Sequence, residues 1–173
     1  MIRRCFCAPL AALVAGCAAV EVGDYRNETP VLDLSRYFDG TVDGWGMVQD
    51  RSGKVLRRFE VRIVGTWSGE RGTLDEYFTF SDGKQERRVW QLVKDGAQYS
   101  GTAGDVVGTA RGEARGNALH WRYVLAVPVD GTTWNLDMDD WMWLVDEKTL
   151  INKTGFSKFG IKFGEVTIFF RKR

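Results

Sequence analysis

The sequence predicts an all-β domain folded as an antiparallel up-and-down barrel, and three observations predict it. Beyond Gly40, apolar residues alternate with polar ones, which is the pattern of strands that bury one face. Asp and Gly pairs separate these runs at short intervals and favour tight hairpins. No segment between the runs is long enough for a parallel crossover helix. About ten hairpin-linked strands in an open sheet would leave two unpaired edges, so we expect a closed barrel, with a β-sandwich as the alternative.

The first 16 residues have the three parts of a secretory signal. Residues 1–4 form a short basic region with Arg3 and Arg4, residues 5–16 are uncharged and mainly apolar, and small residues precede Cys17. The uncharged run ends at Val20, so it is shorter than the roughly 20 residues that a membrane-spanning helix needs. We therefore expect export and removal of this signal peptide.

The segment Leu13-Val14-Ala15-Gly16-Cys17 resembles the bacterial lipobox, in which a peptidase cleaves before a diacylated cysteine. Acyl chains contribute about 0.8 kcal/mol per buried CH₂, so two or three chains hold a protein on a membrane essentially permanently. Position 18 is Ala, where an aspartate would favour retention at the inner membrane. The motif predicts a palmitate-bearing lipoprotein of the cell envelope. We expect an anchor in the outer membrane, facing the periplasm, with an inner-membrane anchor as the alternative.

The mature chain is expected to contain one domain behind a tether. Residues 17–32 carry the lipidated cysteine and then Gly, Asn and Pro with little apolar periodicity, which is typical of a flexible tether. Residues 33–173 form the barrel domain. It begins with one helical turn over residues 34–38, capped by Asp33 or Ser35.

Ten segments of strand periodicity follow the helical turn. They cover about residues 42–49, 56–67, 73–80, 87–94, 99–103, 106–111, 119–127, 134–145, 149–152 and 166–171. The triplet Gly65-Thr66-Trp67 matches the G-x-W pattern of lipocalins, whose barrels have this up-and-down order, although it falls in the second strand.

Charge and motifs exclude several classes of function. Arg3 and Arg4 leave with the signal, so 24 basic residues become 22 against 23 acidic ones, and no basic footprint for nucleic acid remains. His120 is the only histidine and Cys17 is expected to be acylated, so we expect no metal site. The chain contains no G-x-S-x-G elbow, P-loop or dinucleotide fingerprint, so we expect no cofactor.

Several motifs in a fixed order resemble the DUF3833 family of proteobacterial lipoproteins. They are Tyr37-Phe38-Asp39-Gly40, Asp50-Arg51-Ser52-Gly53, Arg57-Arg58-Phe59, Arg88 with Trp90, Asp105-Val106-Val107-Gly108, Asp139-Asp140-Trp141-Met142, Lys158-Phe159-Gly160 and Gly164-Glu165-Val166-Thr167. The resemblance covers residues 34–173. It implies a lipocalin-like barrel and an envelope location, and it points toward lipid ligands without supplying a reaction.

One candidate site follows from the alternation around Asp140. If the strand is unbroken, Asp140 shares a face with apolar neighbours, where an ionised carboxylate needs a partner. Arg88 shares a face with Trp90 and is the candidate partner. Our hypothesis is that these residues fix the head group of an amphipathic ligand inside the barrel; the full set is Arg88, Trp90, Trp121, Tyr123, Trp134 and Asp140. The alternative is that the aromatic residues fill the barrel and the charged pair is a structural lock.

Two functions of different kinds are consistent with the sequence. The first is a lipoprotein that binds or carries a fatty acid or other amphipathic lipid in its barrel. The second is a non-catalytic accessory or assembly factor for an envelope or lipid-modifying enzyme. An enzyme that uses Asp139 and Asp140 as acid and base is a third option, which no complete catalytic set supports.

Overall fold

The computed structural model describes residues 19–173 as a closed barrel of ten antiparallel strands. A 3₁₀ turn, Val22–Tyr25, and one short helix, α1 (Leu34–Tyr37), precede the barrel. The strands are β1 (Gly40–Asp50), β2 (Val55–Ser68), β3 (Arg71–Phe80), β4 (Gln85–Asp95), β5 (Gln98–Thr102), β6 (Val106–Arg115), β7 (Ala118–Val129), β8 (Thr132–Leu144), β9 (Thr149–Lys158) and β10 (Ile161–Lys172).

The barrel is an up-and-down meander closed by its first and last strands. Each strand pairs with its neighbours in sequence, and β1 pairs with β10 in a register that joins Val42 to Lys172 and Asp50 to Gly164. Closure gives every strand two hydrogen-bonded neighbours, which removes the open edges expected of a ten-stranded sheet. The predicted barrel is therefore confirmed, and the β-sandwich alternative does not apply.

The last hairpin is longer than the sequence predicted. We expected strands over residues 149–152 and 166–171, whereas β9 runs to Lys158 and β10 begins at Ile161. Phe159 and Gly160 form the two-residue turn, with φ values of 53° and 75°. Positive φ at both positions is what a type I′ hairpin needs, but Phe rarely takes it, so the sequence carried no turn signal here.

One end of the barrel is closed by α1. Asp33 caps this helix by accepting a hydrogen bond from the Ser35 backbone N–H at 2.9 Å, and it also accepts from Lys94 Nζ at 2.7 Å and Tyr99 OH at 3.0 Å. Burial opposes the charge of Asp33, but these hydrogen bonds lower its pKa to about 2. The predicted helical turn and its Asp33 cap are both present, and this cap also ties the helix to β4 and β5.

The segment before α1 packs on the barrel instead of extending away from it. The Leu32 backbone N–H donates to the Gly116 carbonyl at 2.8 Å, and the Leu32 side chain is buried. Tyr25 contacts Trp141 on the outer face, with 6.1 Å between ring centroids. These contacts place Tyr25 and Leu32, which we expected to be part of the tether, on the barrel. The predicted lipid attachment at Cys17 lies outside the described residues.

No helix in residues 19–173 is long and apolar enough to cross a membrane.

Candidate functional site

The barrel interior has two halves that differ in how tightly they are packed. Near α1, the inward-facing apolar residues are buried and form the core, which we call the closed half; they include Val42, Ile63, Leu74, Leu119, Leu150 and Phe170. Toward the opposite end, inward-facing apolar residues are only half-buried, and we call this the open half; they include Phe78, Phe80, Leu125, Trp134, Leu136 and Phe156. The interior is therefore more tightly packed at the α1 end and more accessible at the other end.

Ionisable side chains meet between the two halves. This ionisable belt consists of Glu76 on β3, Arg88 on β4, Asp105 in the turn between β5 and β6, Tyr123 on β7 and Asp140 on β8. Each strand residue of the belt lies on an inward face because the alternation of its strand carries it there. The belt thus places charge inside an otherwise apolar barrel.

Arg88 is the cation of the belt, and carboxylates hold it. Its Nη2 lies 2.7 Å from Asp105 Oδ2, its Nε also donates to Asp105 at 2.9 Å, and its Nη1 lies 3.7 Å from Glu76 Oε2. These two carboxylates keep the guanidinium charged, and the pKa of Arg88 is raised despite its burial. We expected Asp140 to be the partner of Arg88, but in the fold the arginine pairs with Asp105 and Glu76.

Glu76 is a buried carboxyl group without a full set of partners. The residue is 9% exposed, and its Oε2 accepts no hydrogen bond. Burial raises its pKa to about 7; Arg88 opposes this shift, and the nearby Asp105 and Asp75 carboxylates reinforce it. Glu76 is not among the predicted site residues, although the alternation Leu74, Glu76, Phe78 places it on the inward face.

Asp140 occupies the inward position that the sequence predicted. The pairing of β7 with β8 is unbroken from Ala118 to Val129, so Asp140 faces inward beside Trp121 while Asp139 faces outward. Asp140 is 6% exposed and accepts a hydrogen bond from Asn152 Nδ2. Burial raises its pKa to about 7 against the hydrogen bonds of Asn152 and Thr154. Asn152 and Thr154, which the sequence analysis missed, take the partner role we gave to Arg88.

Aromatic rings surround the belt on one side. Trp90 contacts Trp121 at 5.9 Å and Tyr123 at 5.5 Å between ring centroids, both in edge-to-face geometry. Three of the predicted aromatic site residues therefore meet beside Arg88. Trp134, the fourth, lies farther out in the open half, where it contacts Phe163 at 6.1 Å and Lys158 Nζ lies 4.5 Å from its ring.

A cavity of about 70 Å³ lies directly under the belt. Glu76, Trp90, Trp121 and Met142 line it toward the belt, and closed-half side chains line the rest. A larger hollow of about 690 Å³ lies over β10, β1, β2 and β3; outward-facing residues such as Trp45 and Phe169 line most of it, together with the inward-facing Phe59 and Phe80. We place the candidate site at the belt because ionisable groups and a small cavity coincide there.

Within residues 19–173, no three His, Cys, Asp or Glu side chains are arranged to hold a metal ion. The histidine lies on the outer face, where His120 stacks on Trp141 at 4.0 Å and pairs with Asp139. Asp139 and Asp140, the acid and base of the enzyme option, thus lie on opposite faces of β8.

The fold and the site together define a lipocalin-like barrel with an interior that opens at one end. The chain belongs to the DUF3833 family, described as a protein of unknown function, whose family model matches residues 11–172. No curated protein matches the chain.

Two solved structures are similar to the barrel. The S-type phycobiliprotein lyase CPES from Guillardia theta aligns with a TM-score of 0.56 at 7% identity, over 82% of this chain and 94% of that chain. The structure of EF1p2_mFAP2b bound to DFHBI aligns with a TM-score of 0.44 at 12% identity, over 82% of this chain and 100% of that chain. At these identities, the likeness to the lyase is one of fold.

Proposed function

We propose that this protein is an envelope lipoprotein that binds an amphipathic ligand in the open half of its barrel. The observation that carries the proposal is the division of the interior. Apolar side chains that face inward remain half-buried above the belt, where a filled barrel would bury them. Ligand sites are commonly concave and mostly apolar, with a few polar groups that fix orientation, and the open half with the belt has this composition.

The chain shares its fold with a phycobiliprotein lyase, and a binding role for this barrel is compatible with that likeness. For the present chain, the apolar walls favour a ligand with a hydrocarbon or aromatic body. Fatty acids and other lipids belong to this class and are abundant where a lipidated protein would reside.

Native mass spectrometry of the full-length protein, extracted from its own membrane, tests ligand binding. We expect a lipid-sized adduct that the Leu136→Arg variant loses, because this change puts a charge on the inward face of the open half. Asn135→Arg adds the same charge one residue away on the outward face and should keep the adduct. A wild-type protein without any adduct would favour the alternative role, an accessory factor for an envelope or lipid-modifying enzyme.

Metabolic labelling with palmitate tests the anchor. We expect label on the wild-type protein and none on Cys17→Ser, which should also leave the membrane fraction. Equal labelling of both proteins, or none on either, would refute lipidation at Cys17 and with it the proposed location.

A further inference from the structure

The belt contains more acids than bases, and this balance limits what a ligand can bring to it. Glu76 and Asp105 face Arg88, Asp140 lies near Glu76, and the guanidinium donates to Asp105 through both Nε and Nη2. A ligand carboxylate would therefore meet an arginine that is already paired. It would also meet buried carboxyl groups that carry the same negative charge when they ionise. A fatty acid is poorly matched to this end of the site.

Unlike the other acidic residues of the belt, Glu76 has a buried carboxyl oxygen, Oε2, that accepts no hydrogen bond. The residue also lines the cavity under the belt. A buried acceptor without a donor is costly, and a ligand N–H group could satisfy it. The cavity of about 70 Å³ is too small for the body of a lipid but exceeds the volume that one water molecule needs.

The aromatic residues beside Glu76 also favour a ligand group that carries N–H donors, and in particular a positively charged one. Trp90 and Trp121 line the cavity together with Glu76 and lie edge to face, so ring surfaces as well as a carboxyl oxygen border one space. Ring faces attract cations, most strongly those of tryptophan, and such boxes recognise organic ammonium groups.

We propose that the polar end of the ligand is an organic ammonium group, held by the Glu76 carboxylate and the rings of Trp90 and Trp121. This inference rests on the proposed function, since it names the head group of the ligand that the open half would bind. The hydrocarbon body would extend from the belt into the open half, along Phe78 and Leu136.

Three probes with the same tail test the proposal on the full-length chain: dodecylammonium, dodecanol and dodecanoate. Tryptophan fluorescence and calorimetry follow binding, because Trp90 and Trp121 border the site. We expect dodecylammonium to bind at least about tenfold more tightly than dodecanoate, which corresponds to one charge-assisted hydrogen bond. Equal or tighter binding of dodecanoate would overturn the proposal. If none of the probes binds, the proposed function fails as well.

The variant Glu76→Gln separates the head group from the tail. It should weaken dodecylammonium binding about tenfold and leave dodecanol binding unchanged within about twofold. The control Glu60→Gln removes a carboxylate from the exposed outer face of β2 and should change neither affinity. If Glu76→Gln binds dodecylammonium as well as the wild type does, the carboxylate is not the recognition group, even though a tail site exists.

A pH series on the wild-type chain provides a readout that needs no variant. Dodecylammonium should bind more tightly as Glu76 loses its proton around pH 7, while dodecanol binding stays constant. The groups that face Glu76 are Arg88, Asp105, Tyr123 and Asp140, with Asp75 adjacent on its own strand. An ammonium affinity that is flat or falls between about pH 5.5 and pH 8.5 would contradict the proposal.

Discussion

Raising the pH through neutrality should destabilise the ligand-free protein, and Glu76 makes the effect calculable. Its ordinary pKa of 4.5 rises to about 7 in the fold, chiefly because the carboxyl group is buried. One pKa unit corresponds to about 1.4 kcal/mol, so the full shift is worth about 3 kcal/mol. Because the pKa is higher in the folded state, this stabilisation is complete below about pH 4.5 and is lost as the pH rises through 7.

Asp140 acts in the same direction. Its pKa also rises to about 7, in part because the Glu76 carboxylate lies nearby, so the two contributions are not independent. Asp33 has the opposite sign, but its pKa near 2 confines its effect to acid solutions below about pH 4. Between about pH 5 and pH 8.5, the buried pair in the belt should therefore dominate the change in stability among these three groups.

Urea denaturation followed by tryptophan fluorescence measures this change. We expect the free energy of unfolding to fall by about 3 kcal/mol or more between pH 5 and pH 8.5, and Glu76→Gln should remove about 2 to 3 kcal/mol of the fall. Glu60→Gln, on the exposed outer face, should keep the wild-type slope. A wild-type free energy that stays level or increases over this interval would refute the reasoning, because Glu76 would then not be a buried acid in the folded chain.

Three further predictions concern packing and the closed end. Gly112→Ala should cost about 1 to 3 kcal/mol in urea denaturation, because its Cβ would lie 2.5 Å from a backbone carbonyl oxygen; Gly104→Ala, with nothing within 4 Å, should be nearly neutral, and equal costs would contradict this contact. Trp90→Ala should cost about 3 to 5 kcal/mol as a buried aromatic, whereas Trp45→Ala, at an exposed site, should cost far less; similar losses would place Trp90 outside the core. Asp33→Ala should lower the free energy of unfolding by about 1 to 3 kcal/mol, since it removes the cap of α1 together with its lysine and tyrosine contacts, and an unchanged thermal midpoint would show that α1 does not close the barrel.

Most of the fold could be predicted because strand periodicity and turn chemistry are local signals. The Asp130-Gly131 turn, for example, has φ values of 47° and 78°, as its sequence indicates. The last hairpin could not be predicted, because its local signal is missing. Phe159 occupies a positive-φ position of the turn that its side chain does not favour. The packing of Leu32 on Gly116 also escaped prediction, since a contact across 84 positions leaves no periodic trace in a short segment.

The sequence could predict which face of its strand a site residue occupies, but not which site residues pair with each other. Alternation alone placed Asp140 inside the barrel next to Trp121, and the register confirms this placement. Which cation meets which carboxylate depends on how strands curve around the barrel, and Arg88 reaches Asp105 from a turn that periodicity does not describe. Glu76 was missed because it directly follows Asp75, and two adjacent acidic residues are more typical of an exposed segment, although the alternation places Glu76 on the inward face.

The belt also bears on the choice between a structural lock and a ligand site. A lock would pair its charges fully, since breaking or leaving open one side of a buried ion pair is strongly destabilising. The pair of Arg88 and Asp105 meets that description, with several contacts under 3.2 Å. Glu76 does not, because its closest cation is 3.7 Å away and its buried Oε2 accepts no hydrogen bond. The belt therefore combines a lock that shapes the site with one acid that the folded chain leaves incompletely satisfied, and only the second is available to a ligand.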